Sequence, residues 1–272
     1  MTRFLARLRR ALVYGLLGLS AFISVFPFYW MVVGATNRSA DIVTGKASFG
    51  TYLFTNIASL FAIVDVPRVF LNSALIATIG SLLTLFVSSL AGYGFAMFRS
   101  RFREHIFALL LLLLSIPFAA LMVPLFVMIS AAHLNNTMTA VILPGIASIF
   151  IIFYFRQATK AFPSELRDAA RVDGLKEWQI FIHIYLPVMK STYAAAAIIV
   201  FMANWNNYLW PLIVLNTPEN KTLPLVVAAL TSSYTPDFGM ILAGTVLATL
   251  PTLVIFFLLQ RQFVEGLLGS VK

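Results

Sequence analysis

Polar and aromatic side chains cluster at one point of an otherwise apolar segment. Three amides and two aromatic rings follow one another there, at Asn204, Trp205, Asn206, Asn207 and Tyr208. Amides offer hydrogen-bond donors and acceptors to hydroxyl groups, and aromatic faces cover the apolar C–H faces of a sugar ring. Because unpaired amides are costly in an apolar environment, these side chains either line a wet path for a solute or bond to neighbouring helices. In the second case Trp205, Tyr208 and Trp210 form an interfacial aromatic belt.

Few residues are suited to nucleophilic or metal catalysis. Ser148, near Gly145, is a candidate nucleophile, but a serine protease of the membrane needs a base beside it. The three histidines, His105, His133 and His183, lie at the edges of apolar segments or in a loop, and the chain has no cysteine. We therefore expect no catalytic residue and no metal site. A membrane enzyme would instead depend on Ser148 or His133.

If the chain moves a solute across a membrane, its charged residues limit how that transport could be driven. All ten carboxylates fall outside the long apolar segments, whereas ion-coupled carriers generally place an ionisable side chain within the bilayer. Sodium sites can be built from backbone carbonyls, so a secondary carrier or channel stays an alternative. The sequence has no Gly-x-x-x-x-Gly-Lys-Ser/Thr motif for nucleotide phosphates. We therefore expect no cofactor on this chain, and ATP-driven transport would need an ATPase on a separate chain.

The elements that position these residues are membrane spans. Of the 272 residues, 60% are hydrophobic and 11% are charged, against about 45–50% and about 25% in soluble domains. A bilayer core requires about 20 apolar residues per helix, and a polar break at 133–137 divides one long apolar run in two. Six spans are predicted, at about 11–35, 69–98, 106–130, 138–155, 191–215 and 238–260. Residues 222–230 are too short to cross and are predicted to form a small surface helix. We expect residues 1–272 to form a single transmembrane domain.

The basic residues predict the orientation of these spans. The formal net charge is +9, and 15 of the 19 Lys and Arg residues fall on one side. The other four are Arg38, Lys46, Arg68 and Lys221. Cytoplasmic loops carry the excess of basic residues, so both termini are expected in the cytoplasm, as an even number of spans also requires. The excess of basic residues is therefore explained by the orientation of the spans in a lipid bilayer, and no nucleic acid is expected as a partner.

The loop 156–190, on the predicted cytoplasmic side, has the signals of a short helix. Ser164 is a candidate N-cap, and Glu165 and Asp168 follow in the first turn, where acids favour the positive helix end. Gly174 supplies a left-handed stop. The small or apolar residues on one face are Leu166, Ala169 and Ala170.

A helix of about nine residues is too short to be stable alone in water. Small side chains let another protein approach its backbone closely, and we interpret it as a docking helix. The alternative is that the loop is an amphipathic connector that lies on lipid. The apolar segment 178–185, with aromatic residues at its ends, is suited to the membrane interface and supports this alternative.

The spacing in this loop resembles the EAA loop of ABC importer permeases. The family pattern is Glu-Ala-Ala, three residues, Gly, nine residues, and Ile-x-Leu-Pro. The corresponding residues here are Asp168, Ala169, Ala170, Gly174, Ile184, Leu186 and Pro187. Asp168 replaces the family's Glu and keeps its charge. The resemblance implies an all-α polytopic membrane protein like the transmembrane domain of type I ABC importers. It also implies that these residues, with Ser164 and Glu165, form a coupling site for a cytoplasmic ATPase.

Softer features along most of the chain resemble the carbohydrate branch of these permeases, the maltose-type importers. They are Pro27–Met31, Leu71–Ser73, Asn204–Asn206 with Pro211 and Leu212, and Gln260–Leu267. The resemblance implies a sugar or oligosaccharide as solute, with a non-sugar solute as the alternative. It also implies location in the bacterial cytoplasmic (inner) membrane. The implied partners are a second homologous permease chain, an ATPase dimer that binds ATP and Mg, and a periplasmic or extracytoplasmic solute-binding protein.

Overall fold

A computed structural model describes residues 2–98 and 100–269 of the chain. Met1, Arg99 and residues 270–272, which the predicted single domain includes, lie outside the described residues. The helices are α1 (Thr2–Ala35), α2 (Ser39–Val43), α3 (Leu53–Ile63), α4 (Val66–Met97), α5 (Arg101–Leu113), α6 (Phe118–Ala131), α7 (Met138–Ile142), α8 (Ile149–Thr159), α9 (Ser164–Val172), α10 (Glu177–Ile180), α11 (Leu186–Val188), α12 (Lys190–Trp205), α13 (Leu209–Val214), α14 (Leu223–Thr231) and α15 (Phe238–Gly269). Short 3₁₀ turns occur at Leu143–Gly145 and Pro218–Asn220, and a π-helical turn at Phe181–Tyr185. Within the described residues there is no β-strand, so the prediction of an all-α fold is confirmed for this part of the chain.

Four helical segments are long and apolar enough to cross a membrane. They are Arg9–Ala35, Val66–Met97, Lys190–Val214 and Phe238–Arg261. Two pairs of helices reach this length only when each pair is taken as one bent span, α5 with α6 at 103° and α7 with α8 at 43°. The described residues therefore supply four to six spans, and the predicted number of six requires that each bent pair crosses once.

The predicted span at 106–130 is broken. After α5, the amides of Ser115 and Ile116 bond to carbonyls three residues back, which tightens the chain into a turn. Pro117 then adopts an extended backbone, with ψ of 138°, as the N-cap of α6. A proline disfavours the helical conformation in the residue before it, so α5 cannot continue into α6. The span was predicted from its lack of charged residues, and that signal contains no information about a break in the helix.

The chain folds as two compact units. One comprises the residues up to Val66 together with Val226–Leu250. Its buried apolar core contains Leu60, Val66 and Met240. The side-chain amide of Asn56 donates hydrogen bonds to the carbonyls of Ala35 at 2.8 Å and Asn37 at 2.9 Å, which ties α3 to the end of α1. The apolar part of α1 before this end is exposed.

The other unit comprises Pro67–Leu225 and Pro251–Lys272. Trp210 is buried, and its indole N–H donates to the carbonyl of Ala140 at 2.8 Å, joining α13 to α7. The predicted polar break at 133–137 is an ordered turn, in which Asn136 has a φ of 61°. The side-chain oxygen of Asn136 accepts a hydrogen bond from the backbone N–H of Asn216 at 3.0 Å. The break therefore connects α6 and α7 to the loop that follows α13.

The predicted surface helix at 222–230 is present as α14, but its first residues are packed inside the protein and only its end is exposed. Leu223, Leu225 and Val226 are all buried. The hydroxyl of Ser73 accepts a hydrogen bond from the backbone N–H of Leu223 at 2.7 Å and fixes the start of α14 against α4. Its high apolarity therefore reflects packing inside the protein.

Candidate functional site

The short helix predicted in the loop 156–190 is α9, which has nine residues. Its N-cap is Pro163, with extended backbone, and Ser164 is its first helical residue. The prediction that Ser164 is the N-cap is therefore wrong by one position. Glu165 lies in the first turn, as expected, where its charge is favourable to the helix dipole. Asp168 was predicted in the same turn, but it is the fifth residue of the helix and lies beyond that turn.

The C-terminal end of α9 is closed by a left-handed residue. Gly174 has a φ of 82°, and its N–H bonds to the carbonyl of Arg171 at 3.0 Å. The N–H of Leu175 bonds to the carbonyl of Ala170, also at 3.0 Å. These two bonds form a Schellman motif, which satisfies carbonyls that the helix leaves open. The prediction that Gly174 ends the helix with a left-handed conformation is confirmed.

The two faces of α9 differ in exposure. Arg167 and Ala170, three positions apart, are buried against the rest of the chain. Leu166, Asp168 and Ala169 are exposed on the other side. Ala170, which was predicted on one face with Leu166 and Ala169, is therefore buried and unavailable for docking, because it lies on the side where Arg167 packs against the chain. The outer surface retains an apolar side chain, a small one and an acid.

Both arginines of α9 bind one carboxylate. Arg167 donates to Glu177 from Nε at 3.3 Å and from Nη2 at 3.2 Å, and Arg171 donates from Nε at 2.7 Å. Burial alone would raise the pKa of Glu177, but the hydrogen bonds and charges of Arg171 and Arg167 outweigh it and lower that pKa. Glu177 therefore stays ionised at neutral pH and relieves the repulsion between the two guanidinium groups.

This ion cluster is attached to α4. The hydroxyl of Tyr93 donates to Oε2 of Glu177 at 3.2 Å, and Nη1 of Arg167 donates to the carbonyl of Met97 at 3.4 Å. The guanidinium of Arg167 also lies 4.7 Å from the ring centre of Phe98. Sequence reasoning missed the two hydrogen bonds, since 84 and 70 residues separate their partners.

An aromatic cluster holds the segment that follows α9. Its buried members are Tyr93, Phe162, Phe181, Tyr185 and Met189. The ring centres of Tyr93 and Tyr185 lie 4.8 Å apart, and the hydroxyls of Tyr185 and Thr159 lie 2.6 Å apart. Trp178 and Ile182, on the opposite side, are exposed. The segment 178–185 is therefore packed into the protein along one face, and only its other face is available to lipid.

The last residues of the EAA-like motif, Leu186 and Pro187, follow a wider, π-helical turn. Pro187 has no N–H to donate and would clash with the carbonyl four residues before it. The π-helical turn Phe181–Tyr185 precedes it and accommodates this defect. Ile184 packs against the aromatic cluster, while Leu186 and Pro187 are exposed. The motif thus divides between residues that hold the segment in place and residues at its surface.

The polar stretch found in the fifth span lies at a gap between α12 and α13. Asn204 donates from Nδ2 to the hydroxyl of Ser81 on α4 at 3.2 Å. Trp205 is 2% exposed, and its ring meets that of Phe70 edge-on at 5.6 Å. Since Trp205 and Trp210 are both buried, the alternative that they belong to an aromatic belt is wrong.

The remaining three residues of this stretch are more accessible. Asn206 and Tyr208 are exposed, and Asn207 is half-buried. Asn206 donates from Nδ2 to the carbonyl of Met202 on its own helix at 2.9 Å. Asn204 therefore has the role of bonding to a neighbouring helix, whereas Asn206, Asn207 and Tyr208 are placed where a solute or another chain can reach them.

Comparison with known proteins gives consistent matches. The family described as the inner membrane component of binding-protein-dependent transport systems matches residues 85–267. The chain is 63% identical over 272 residues, the full length of both proteins, to a lactose transport system permease protein of Rhizobium radiobacter. It is 37% identical to an arabinooligosaccharides transport system permease protein of Bacillus subtilis, over 91% of this chain and 90% of that protein. A crystal structure of a bacterial ABC transporter involved in the import of the acidic polysaccharide alginate has the same fold, with a TM-score of 0.82, 19% identity and coverage of 94% of this chain and 97% of that chain.

Proposed function

The chain belongs to the family of inner membrane components of binding-protein-dependent transport systems, and on this premise we propose that it is the permease of an ATP-driven importer for a sugar or oligosaccharide. The observation that carries this proposal is the full-length 63% identity to a lactose permease. The chain is a multi-pass membrane protein and a transport subunit, not an enzyme. A solute other than a sugar is the alternative for the same kind of importer.

The proposed topology has six spans in the bacterial cytoplasmic membrane, with both termini in the cytoplasm. It takes each bent helix pair as one crossing, and it is supported by the 15 basic residues on one side of the spans. In this orientation the loop that contains α9 faces the cytoplasm. A solute delivered from outside would then meet the opposite ends of the spans.

The proposed partners follow from a permease that has no nucleotide-binding motif of its own. They are a second homologous permease, an ATPase dimer and an extracytoplasmic solute-binding protein. ATP and Mg would bind to the ATPase, and α9 would dock in a groove of that protein. The exposed residues Leu166, Asp168 and Ala169 support this role, because they offer an apolar contact, a charge and close backbone approach. Closure of the ATPase dimer would move α9 and change which side of the membrane the spans open to.

Reconstitution of the whole importer tests this function. We expect labelled sugar to enter proteoliposomes only when the permease pair, the ATPase, the binding protein and ATP are all present. The matched control is an ATPase whose P-loop Lys is replaced, which should abolish uptake without changing assembly. Uptake by the purified chain alone, driven by an ion gradient, would instead make the protein a secondary carrier. Uptake of a non-sugar solute in preference to sugars would correct the solute class.

The polar stretch at 204–208 is proposed to contact the solute on its path through its accessible members. Replacing Asn207 or Tyr208 by alanine is expected to slow sugar uptake by about 2- to 10-fold, since each removes about one hydrogen bond or ring contact. The measurement is initial uptake, with ATP hydrolysis recorded in parallel. Asn216→Ala, an exposed amide outside this stretch, should leave uptake unchanged. Normal uptake in both path variants would place the solute contacts on the second permease.

A further inference from the structure

We infer that Glu177 is a positioning residue that ties α9 to α4, so that a displacement of α9 is passed to α4. This inference rests on the proposed function, because it concerns how the predicted docking helix transmits movement. Glu177 does not belong to α9 or to α4, but it contacts side chains of both. It begins α10, which leads into the packed aromatic segment.

Both oxygens of the carboxylate are engaged. Oε1 accepts from Arg171 at 2.7 Å and from Arg167 at 3.2 Å. Oε2 accepts from Arg167 at 3.3 Å and from the hydroxyl of Tyr93 at 3.2 Å. The two arginines come from α9 and the tyrosine from α4. One side chain therefore joins three donor residues on two helices.

The charge of Glu177 is needed because Arg167 is only 8% exposed. A buried guanidinium without a counter-charge is costly, and removing one partner of such a pair is far more damaging than losing a surface pair. Met97 supplies a carbonyl to Arg167 but no charge. The ion cluster therefore holds α9 in one position, where a neutral side chain at 177 would let it shift.

The support behind Glu177 is rigid. Tyr93 contacts Glu177 through its hydroxyl and packs with its ring against Phe181 and Tyr185 at 5.3 and 4.8 Å. The same residue of α4 thus meets both ends of the segment that follows α9. Since packed interiors transmit displacement and do not absorb it, a push on α9 reaches α4 through Glu177.

The experiment is the ratio of ATP hydrolysed to sugar imported by the reconstituted importer. Glu177→Gln keeps the size of the side chain and removes its charge, and we expect this ratio to rise about fivefold or more. Asp41→Asn is the matched control, since Asp41 and Lys46 form an exposed ion pair that has no part in this cluster. Surface ion pairs contribute little, so its ratio should change about twofold at most. Assembled complex is quantified in each sample, so that lower assembly is not mistaken for uncoupling.

A second variant covers the case in which Glu177→Gln does not assemble. Tyr93→Phe removes only the hydroxyl that joins Glu177 to α4, and the ratio should rise about two- to fivefold. An unchanged ratio in an assembled Glu177→Gln or Tyr93→Phe importer would overturn the inference while leaving the proposed function intact. Absence of ATP-dependent uptake by the unaltered importer would instead refute the proposed function.

Discussion

Replacing Ala169 by aspartate is expected to reduce sugar uptake by about 20-fold or more, although the chain still inserts in the membrane. Ala169 is exposed on α9, so the new carboxylate displaces no packed side chain of this chain. When α9 docks against a second protein, however, the carboxylate would be buried without a partner. Such burial costs about 3–5 kcal/mol, which weakens docking by about 100-fold or more. The measurements are ATP-dependent uptake and the amount of ATPase that co-purifies with the permease in mild detergent.

Ala161→Asp is the matched control for this substitution. Ala161 is also exposed, but it precedes α9 and lies outside the outer face of that helix. Its replacement should leave uptake and ATPase retention near those of the unaltered protein, and both variants should reach the membrane fraction in equal amounts. If Ala169→Asp retains the ATPase and transports normally, α9 does not dock through this face.

The features predicted correctly from the sequence depend on neighbouring residues. The length of α9 follows from a proline before it and a glycine after it, and Gly174 adopts the left-handed conformation that its position requires. The long apolar helices follow from composition, because a run without charge has few other stable environments. Such signals lie within a few residues of the structure they determine.

The features that were missed depend on contacts between distant parts of the chain. From the sequence, Arg167 is expected to be a surface residue of a short charged helix. It is buried instead, because Glu177 and the carbonyl of Met97 accept hydrogen bonds from its guanidinium. The burial of Ala170, three positions on, follows from that of Arg167. In the same way, α14 reads as a surface helix until its contact with Ser73 is known. No local pattern encodes these pairings.

Replacing Gly92 by alanine is expected to destabilise the protein, because α4 and α8 approach each other closely there. A methyl group at Gly92 would lie 2.6 Å from Cβ of Phe155 and 2.8 Å from the backbone N of Arg156. Neither atom is the end of a flexible side chain, so the helices must move apart, at a cost of about 1–3 kcal/mol. We expect the Tm of the purified importer to fall by about 3–10 °C, as measured by loss of soluble complex on heating.

Gly94 provides the control for Gly92, since it lies two residues further along α4. Among the described residues, no atom outside its own stretch of helix lies within 4 Å of where a methyl group would stand. Both substitutions improve helix propensity by the same amount, so propensity cannot account for a difference between them. Gly94→Ala should leave the Tm unchanged or raise it slightly, and only Gly92→Ala should lower it. Equal Tm values for the two variants would mean that α4 and α8 are not in close contact at Gly92. Sequence reasoning treats these glycines alike, because only the facing residues of α8 distinguish them.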